Sequence, residues 1–408
     1  MQTGERYSLS QIFYIVSLIW IFLIISSKTL IDGFNSIVDE EIEGGITTYF
    51  YILLIFLFSS SFIRIKTRYN KMVRINFILL IYFLYFFLSY NLHMTFILRD
   101  FLGSLIVLSW IFTFKLGGDI AKWSENKFNH FIKLLIIFVI IPLSLLTYIY
   151  YFKNDILGII GNKLIGNDAV FSIAVYFPFI FAIKKQRLLK IILLISFLTI
   201  SFLSYKRSII IAVVLSFIVY IVLSIDKKVI FKYLWKWYSV LFIVCLGFLF
   251  RFLDNLIGQT ILNRFNRIGT DRGSGRLDIY NKLFNELYYS NQTNILFGHG
   301  YQSTKQQIGM LAHNDFIQIL FDFGLIGSLL YSLFIFAFLY MIFKKYKNKK
   351  AYRNEYASYV AAIVFLITMS MMNCFIYSPS LLMPIMFFLG MMYFKIYIVS
   401  NNSNITFR

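Results

Sequence analysis

The amino-acid sequence predicts an all-α, polytopic integral membrane protein, and three observations carry that expectation. Hydrophobic residues make up 59% of the 408 and charged residues only 14%, more apolar surface than one soluble core hides. The apolar residues gather into about twelve spans, each long enough at ~1.5 Å per helical residue to cross or nearly cross ~30 Å of hydrocarbon. The charges are sorted by side. With the N-terminus inside, the segments on the cytoplasmic side hold 26 Lys and Arg against 13 outside, and 5 acidic residues against 14. That is the positive-inside bias. It assigns both termini to the cytoplasm of a cytoplasmic (inner) membrane protein. It also accounts for most of the net charge of +20 without a nucleic-acid partner.

The first span, 8–27, follows a single Arg and precedes no small-residue cleavage site, so it reads as a retained helix rather than a leader. The segment 28–45 is acidic (Asp32, Asp39, Glu40, Glu41, Glu43) and reads as solvated outer surface. Spans 46–63 and 73–90 flank the basic run Arg64–Arg74, and span 94–114 carries Arg99-Asp100 near its outer end, a local ion pair or part of a cavity lining. Span 131–152 leads to an outer loop with Gly158, Gly161 and Gly166. Glycines there permit tight turns or close backbone approach to a ligand, and turn geometry is the preferred reading. Spans 168–183 and 188–205 are joined by the basic run Lys184–Lys190, and spans 208–225 and 236–253 follow. After the polar segment 254–315 come spans 316–343, 356–376 and 380–399, with the basic run Lys344–Arg353 after the first of them. Cys245 and Cys374 lie inside apolar runs as packing residues, so no disulfide or zinc framework is expected. No repeat is detectable, and the chain reads as a single integral-membrane domain, 1–408.

Two features oppose the topological pattern by placing positive charge outside. Lys206-Arg207 forms a turn between two apolar spans, and the long outer loop 254–315 carries Arg264, Arg267, Arg272, Arg276, Lys282 and Lys305. Arginine is a planar fork that stays charged and grips phosphate oxygens bidentately. Arg272-Gly273-Ser274-Gly275-Arg276 adds glycines that let backbone N–H groups approach an anion. Outer-loop arginines also pair with lipid phosphates or with neighbours such as Asp271 and Asp278, and the chain alone leaves both readings open.

The loop ends at His313-Asn314-Asp315, where a helix is expected from about Asn314. Spacings of three and four put Asp315, Gln318 and Asp322 on one face of it, with Asp322 about two turns into the membrane. Carboxylates there are costly and point to a cavity or functional site. His313 reads either as a general base or donor to substrate, or as a helix-cap histidine. His93 and His130 sit at membrane boundaries without metal-ligand partners, and HExxH, Walker, dinucleotide and Gly-x-Ser-x-Gly patterns are absent, so neither a metal nor a cofactor is expected.

Three pieces in this order resemble the bacterial O-antigen polymerase and ligase family (Wzy/WaaL-type membrane glycosyltransferases). They are Ser204-Tyr205-Lys206-Arg207; Ser274-Gly275-Arg276 followed by Leu296-Phe297-Gly298-His299-Gly300; and His313-Asn314-Asp315-Phe316 with Leu320, Gly324 and Gly327. The aromatic a few positions after Ser-Gly-Arg is represented by Tyr280. The resemblance covers roughly residues 150–345. It implies a GT-C-like, metal-independent enzyme at the outer face of the membrane, taking an undecaprenyl-pyrophosphate-linked oligosaccharide as donor, with membrane lipid and a chain-length regulator protein as partners. It maps the family's two arginines to Arg207 and Arg276, with Lys206 and Arg272 as further pyrophosphate contacts, and its histidine to His313. Asp315 is then an orienter or alternative base, and Asn314, Gln318, Asp322 and Tyr280 are acceptor or cavity residues. A repeat-unit polymerase is the expected activity and a ligase to lipid A-core the alternative. From another class, a transporter or flippase of lipid-linked sugars would show repeated halves and midplane polar residues. An interaction protein would tolerate loss of single loop arginines.

Overall fold

The computed structural model describes residues 7–35, 81, 84–85, 106–153, 170–184, 187–203, 206–224, 275–345 and 352–405. The expected spans 46–63 and 236–253, nearly all of 73–90, and the glycine loop after 153 lie outside these residues. Among the described residues every regular element is helical. Four stretches are long and apolar enough to cross a membrane: Glu125–Thr147, Arg207–Ser224, Asp315–Tyr340 and Arg353–Met372. Ile137, Phe138, Leu215, Ile218, Leu329 and Phe336 on three of these stretches stay exposed, a pattern that suits contact with acyl chains. This is an α-helical membrane protein.

The chain forms two compact units. One takes residues 1–40, 124–271 and 352–365, and the other 41–123, 272–351 and 366–408.

The first unit contains α1 (Leu9–Asn35), α3 (Glu125–Leu135) running through a π turn (Ile136–Ile140) into α4 (Ile141–Lys153), the short α5 (Phe171–Ala174), α6 (Arg187–Leu203) and α7 (Arg207–Ser224). The π turn has a local cause. Pro142 cannot donate to the carbonyl four residues back, and the ladder widens just before it, with the Ile141 N–H bonding Ile136 O. The expected span 168–183 is corrected: it is the α5 turn followed by a 3₁₀ segment, Phe177–Ala182, with Pro178 at its start. Proline fixes φ and removes a donor, so a regular helix does not run through it. Nearly every residue from Val170 to Ala182 is buried. Tyr176 is hydrogen-bonded to Ser26 Oγ at 2.8 Å, Phe177 meets Phe181, Phe197 and Phe365, and Phe181 stacks on Tyr220 at 4.3 Å. At the end of this plug Lys184 bridges Glu125 at 2.9 Å and Glu355 at 2.5 Å. Burial draws its pKa down, but the hydrogen bonds and charges of the two carboxylates outweigh that and raise it.

The second unit contains α2 (Ile106–Ala121), α8 (Arg276–Tyr289), α9 (Gln292–Phe297), α10 (Ser303–Ile308), α11 (Asp315–Lys345), the end of α12 (Arg353–Met372) and α13 (Pro379–Ile405). Two expectations change here. The span drawn at 94–114 continues to Ala121, through Gly117-Gly118, because those glycines serve packing: a Cβ on Gly117 would lie 2.0 Å from Phe387 O, and one on Gly390 would lie 2.0 Å from Phe114 O. Small residues let the α2 and α13 backbones nearly touch, the packing mode that membrane helices favour. The segment drawn as a long loop at 254–315 is helical over much of its described part, as α8, α9 and α10. Ile279 and Leu283 of α8 bury against Ala312 and Phe321, which gives that helix its inward face.

Gly390→Leu therefore forces the α2–α13 pair apart. A loss of about 1–3 kcal/mol is expected from overpacking, read as a lower thermal midpoint of the purified protein. Leu145→Ala, at an exposed position, leaves the midpoint nearly unchanged.

Candidate functional site

The site-bearing residues of the second unit are organised by a break in α11. Gly324 has φ 67° and ψ −167° inside an otherwise helical run, so the uninterrupted span expected over 316–343 is a short helix, a kink and a longer helix. Carbonyls in the turn before such a break need donors from outside the helix. Phe321 O receives the His299 N–H at 3.0 Å, Asp322 O the Gly300 N–H at 2.9 Å, and Phe323 O the Tyr85 hydroxyl at 2.7 Å. The Leu296–Gly300 strip thus lies directly on the kink. No side chain fits between them: a Cβ on Gly298 would be 2.2 Å from Asp322 O, and one on Gly324 2.4 Å from Leu296 O. Both glycines also have positive φ, which L side chains rarely adopt. The His299 ring stacks on Phe321 at 4.4 Å and has Nε2 2.8 Å from Ser290 Oγ at the end of α8, completing the clasp.

Asp315, Gln318 and Asp322 share one buried face, as their spacing predicts. Their surroundings are polar, a protein interior rather than hydrocarbon. Asp322 Oδ1 accepts from Ser303 Oγ at 2.7 Å, the Thr304 N–H at 3.2 Å and Thr304 Oγ1 at 3.4 Å; Oδ2 accepts from Gln318 Nε2 at 2.6 Å and from the Tyr377 hydroxyl. Gln318 also donates to Thr304 Oγ1, and its Oε1 accepts the Ala312 N–H at 2.8 Å. Asp315 accepts the Ile376 N–H at 3.0 Å and lies 3.5 Å from the Tyr331 hydroxyl, itself 3.2 Å from Ser370 Oγ. Two buried carboxylates thereby tie α10 and the 373–378 turn to α11.

The product of this bracing is the backbone at 312–314. Ala312 is pinned by Gln318, the Asn314 side chain caps α11 by accepting from Phe316 N at 2.9 Å and Ile317 N at 3.3 Å, and the Cys374 thiol rests against the backbone N–H groups of His313 and Asn314. Burial, with the Asp315 charge nearby, pushes the Cys374 thiol well above its ordinary range. Asn314, expected among the acceptor or cavity residues, is therefore the N-cap. Between Ala312 and Asn314, His313 has φ 53° and an exposed side chain. Strain of this kind costs of order 1–3 kcal/mol and persists where the surroundings over-determine it.

Tyr280 joins this end to α8. It is half-buried, its pKa raised by burial and eased by the Arg276 charge and by a hydrogen bond with Asn314. Arg276 is the first residue of α8, after Gly275 at φ 79°, which offers no capping side chain. Arg276 and the His-Asn piece of the sequence are thus neighbours through Tyr280. Arg272, like Arg264 and Arg267, lies outside the described residues. Lys206 and Arg207 belong to the first unit. The Lys206 carbonyl accepts the N–H groups of Ile209 and Ile210 at the start of α7, its Nζ sits 5.5 Å from the Phe171 ring centre, and Arg207 is the first residue of α7. The sequence reading passed over Ser303, Thr304, Tyr331, Ser370 and Tyr377. The expected span 356–376 ran through most of the 373–378 turn, whose mixed residues Asn-Cys-Phe-Ile-Tyr-Ser give no local signal of a site.

Residues 191–332 match the family model described as O-antigen ligase. This match supports the resemblance to the O-antigen polymerase and ligase family over that stretch. All three motif pieces, with Arg207, Arg276 and His313, fall inside the match. The family implies glycosyl transfer from lipid-linked glycans at the membrane, by polymerisation or ligation. Comparison with curated proteins found no match.

Asp322→Asn is expected to destabilise the clasp despite its similar shape, because an amide nitrogen would face groups that all donate. The loss is about 1–3 kcal/mol for the mispaired buried donors. It is read as faster proteolysis within 298–310 and a lower thermal midpoint.

Proposed function

We propose that the protein polymerises lipid-linked oligosaccharide repeat units of an O-antigen or capsular polysaccharide, at the outer face of the inner membrane. In this reading the chain has about twelve spans in a GT-C-like arrangement, both termini in the cytoplasm, and a chain-length regulator as partner. The observation that carries it is the pairing of a rigidly held, exposed His313 with Arg276 across Tyr280 and Asn314.

The chemistry follows from those groups. An acceptor sugar hydroxyl attacks the anomeric carbon of the donor glycan, the bond from that carbon to the undecaprenyl pyrophosphate oxygen breaks, and the hydroxyl proton passes to His313. The departing pyrophosphate gains charge, which Arg276 stabilises together with the α8 N-terminus, where backbone N–H groups and the helix dipole favour anions. Arg207 is the other arginine of the family's pattern, Arg272 and Lys206 are further pyrophosphate contacts in this reading, and none of them requires a metal. Asp315 acts as a positioning group: its oxygens are engaged by Ile376 and Tyr331, so it orients the His313 segment rather than taking the proton. Ligation to lipid A-core is the second reading, favoured by the printed description of the matching family.

Deleting the gene and running the surface polysaccharide on a gel decides between the two. Single-repeat caps on lipid A-core indicate a polymerase, polymer accumulating on the lipid carrier indicates a ligase, and unchanged polysaccharide removes both. Arg276→Ala and Arg207→Ala are each expected to cut elongation more than tenfold, about 1.4 kcal/mol or more of transition-state stabilisation, with the protein still in the membrane. Wild-type polymer length in either variant sinks the pyrophosphate clamp. His313→Ala is expected to abolish transfer in a purified assay while lipid-linked donor still binds; sustained elongation would show that His313 is not the base.

A further inference from the structure

Phe284 and Tyr288, exposed on α8 beyond the half-buried Tyr280, are left unused by the proposed chemistry. Tyr280, Phe284 and Tyr288 recur every four residues, so their rings follow one another about 6 Å apart along one side of the helix. Leu277 and Asn281 lie beside them on the same side at helical spacing, and Asn285 comes next around the helix. The exposure is large: 48% for Phe284, 53% for Leu277, 80% for Tyr288, with Tyr289 next to it at 83%. The inward face is already spent on Ile279 and Leu283. Aromatic rings kept this open, interleaved with amides, are unusual on a polar helix and need a partner.

Charge narrows the partner's chemistry. A helix lying on an anionic leaflet carries Lys and Arg along its polar face. Here the flank after Arg276 carries Asp278, Lys282 and Glu286, with a net charge of −1. A protein or lipid phosphate finds no cationic rim. An uncharged polyhydroxylated chain finds what it needs: flat π faces for the C–H face of a pyranose ring, and amides that both donate to and accept from hydroxyls. The edge is also continuous with the reacting end, since Tyr280 meets both Arg276 and Asn314.

We propose that the Tyr280–Phe284–Tyr288 edge of α8 is a saccharide platform, on which the glycan of the lipid-linked substrate lies as it leaves the reacting end. The inference rests on the glycan-transfer reading above. The platform fixes the direction of the chain: the pyrophosphate end at Arg276, and the sugars running about 12 Å along the helix to Tyr288.

The test uses the full-length protein in nanodiscs. Its probe is the water-soluble polysaccharide released from the producing strain by mild acid, which carries neither lipid nor pyrophosphate. Phe284→Ala with Tyr288→Ala is expected to weaken binding of this probe at least about tenfold, the scale of losing one or two stacked rings, and to shorten the polymer made. Tyr288→Phe, which keeps the ring, restores binding. A nitroxide attached through Tyr288→Cys is expected to be quenched by a water-soluble nickel chelate and shielded when the probe is added. Unchanged binding in the double variant overturns the platform, as does a wild-type chain that fails to bind the probe. Oxygen-dominated quenching of the nitroxide would place this edge in lipid, and dipolar broadening would place it against a second copy; either result also overturns the proposal. Because binding is measured without turnover, a chain that binds the probe but never elongates would refute the polymerase reading instead.

Discussion

The site depends on one backbone contact, the crossing of Gly298 over the Gly324 kink. The kink removes helical partners from three carbonyls, and the strip carrying His299 and Gly300 supplies donors for two of them. Each side therefore satisfies the other, and neither conformation is favourable alone. A side chain at either glycine would occupy the space of the opposing backbone. Everything that organises the reacting end is downstream of this contact: it positions Ser303 and Thr304 over Asp322, and Asp322 in turn fixes Gln318, which holds Ala312.

Much of this architecture was legible in the sequence, and the parts that were not share a cause. Helical class, membrane character and the shared face of Asp315, Gln318 and Asp322 follow from composition and from a period of 3.6. Periodicity does not report where a helix breaks, so Gly324 read as a residue inside a span. Hydropathy likewise cannot separate a membrane-crossing helix from an apolar plug, and the stretch around Pro178 is as greasy as its neighbours. Partners of the buried carboxylates were invisible because Ser303, Thr304 and Tyr377 lie 19, 18 and 55 positions from Asp322. Short polar residues at such separations carry no local signal.

The second unit divides its polar residues by task. Asp315, Gln318 and Asp322 are buried and bonded, whereas His313 is exposed and Arg276 and Tyr280 are half-buried beside it. Buried carboxylates are costly unless their acceptor capacity is used, and here it is used by groups from α10, α11 and the 373–378 turn. That expenditure favours one geometry over alternatives rather than adding much net stability.

The same division bears on which group takes the acceptor's proton. A carboxylate whose oxygens already accept from backbone N–H and hydroxyl groups has little acceptor capacity left for a substrate hydroxyl. Asp322 engages Ser303, Thr304, Gln318 and Tyr377, and Asp315 engages Ile376 and Tyr331. His313 instead sits on a braced, left-handed backbone position with its side chain exposed. Its ring leaves from a fixed Cα. In the proposed reaction pyrophosphate is the leaving group, so the nucleophile needs only modest activation. The bracing therefore goes mainly into orientation, which explains why so many buried hydrogen bonds converge on the three residues 312–314.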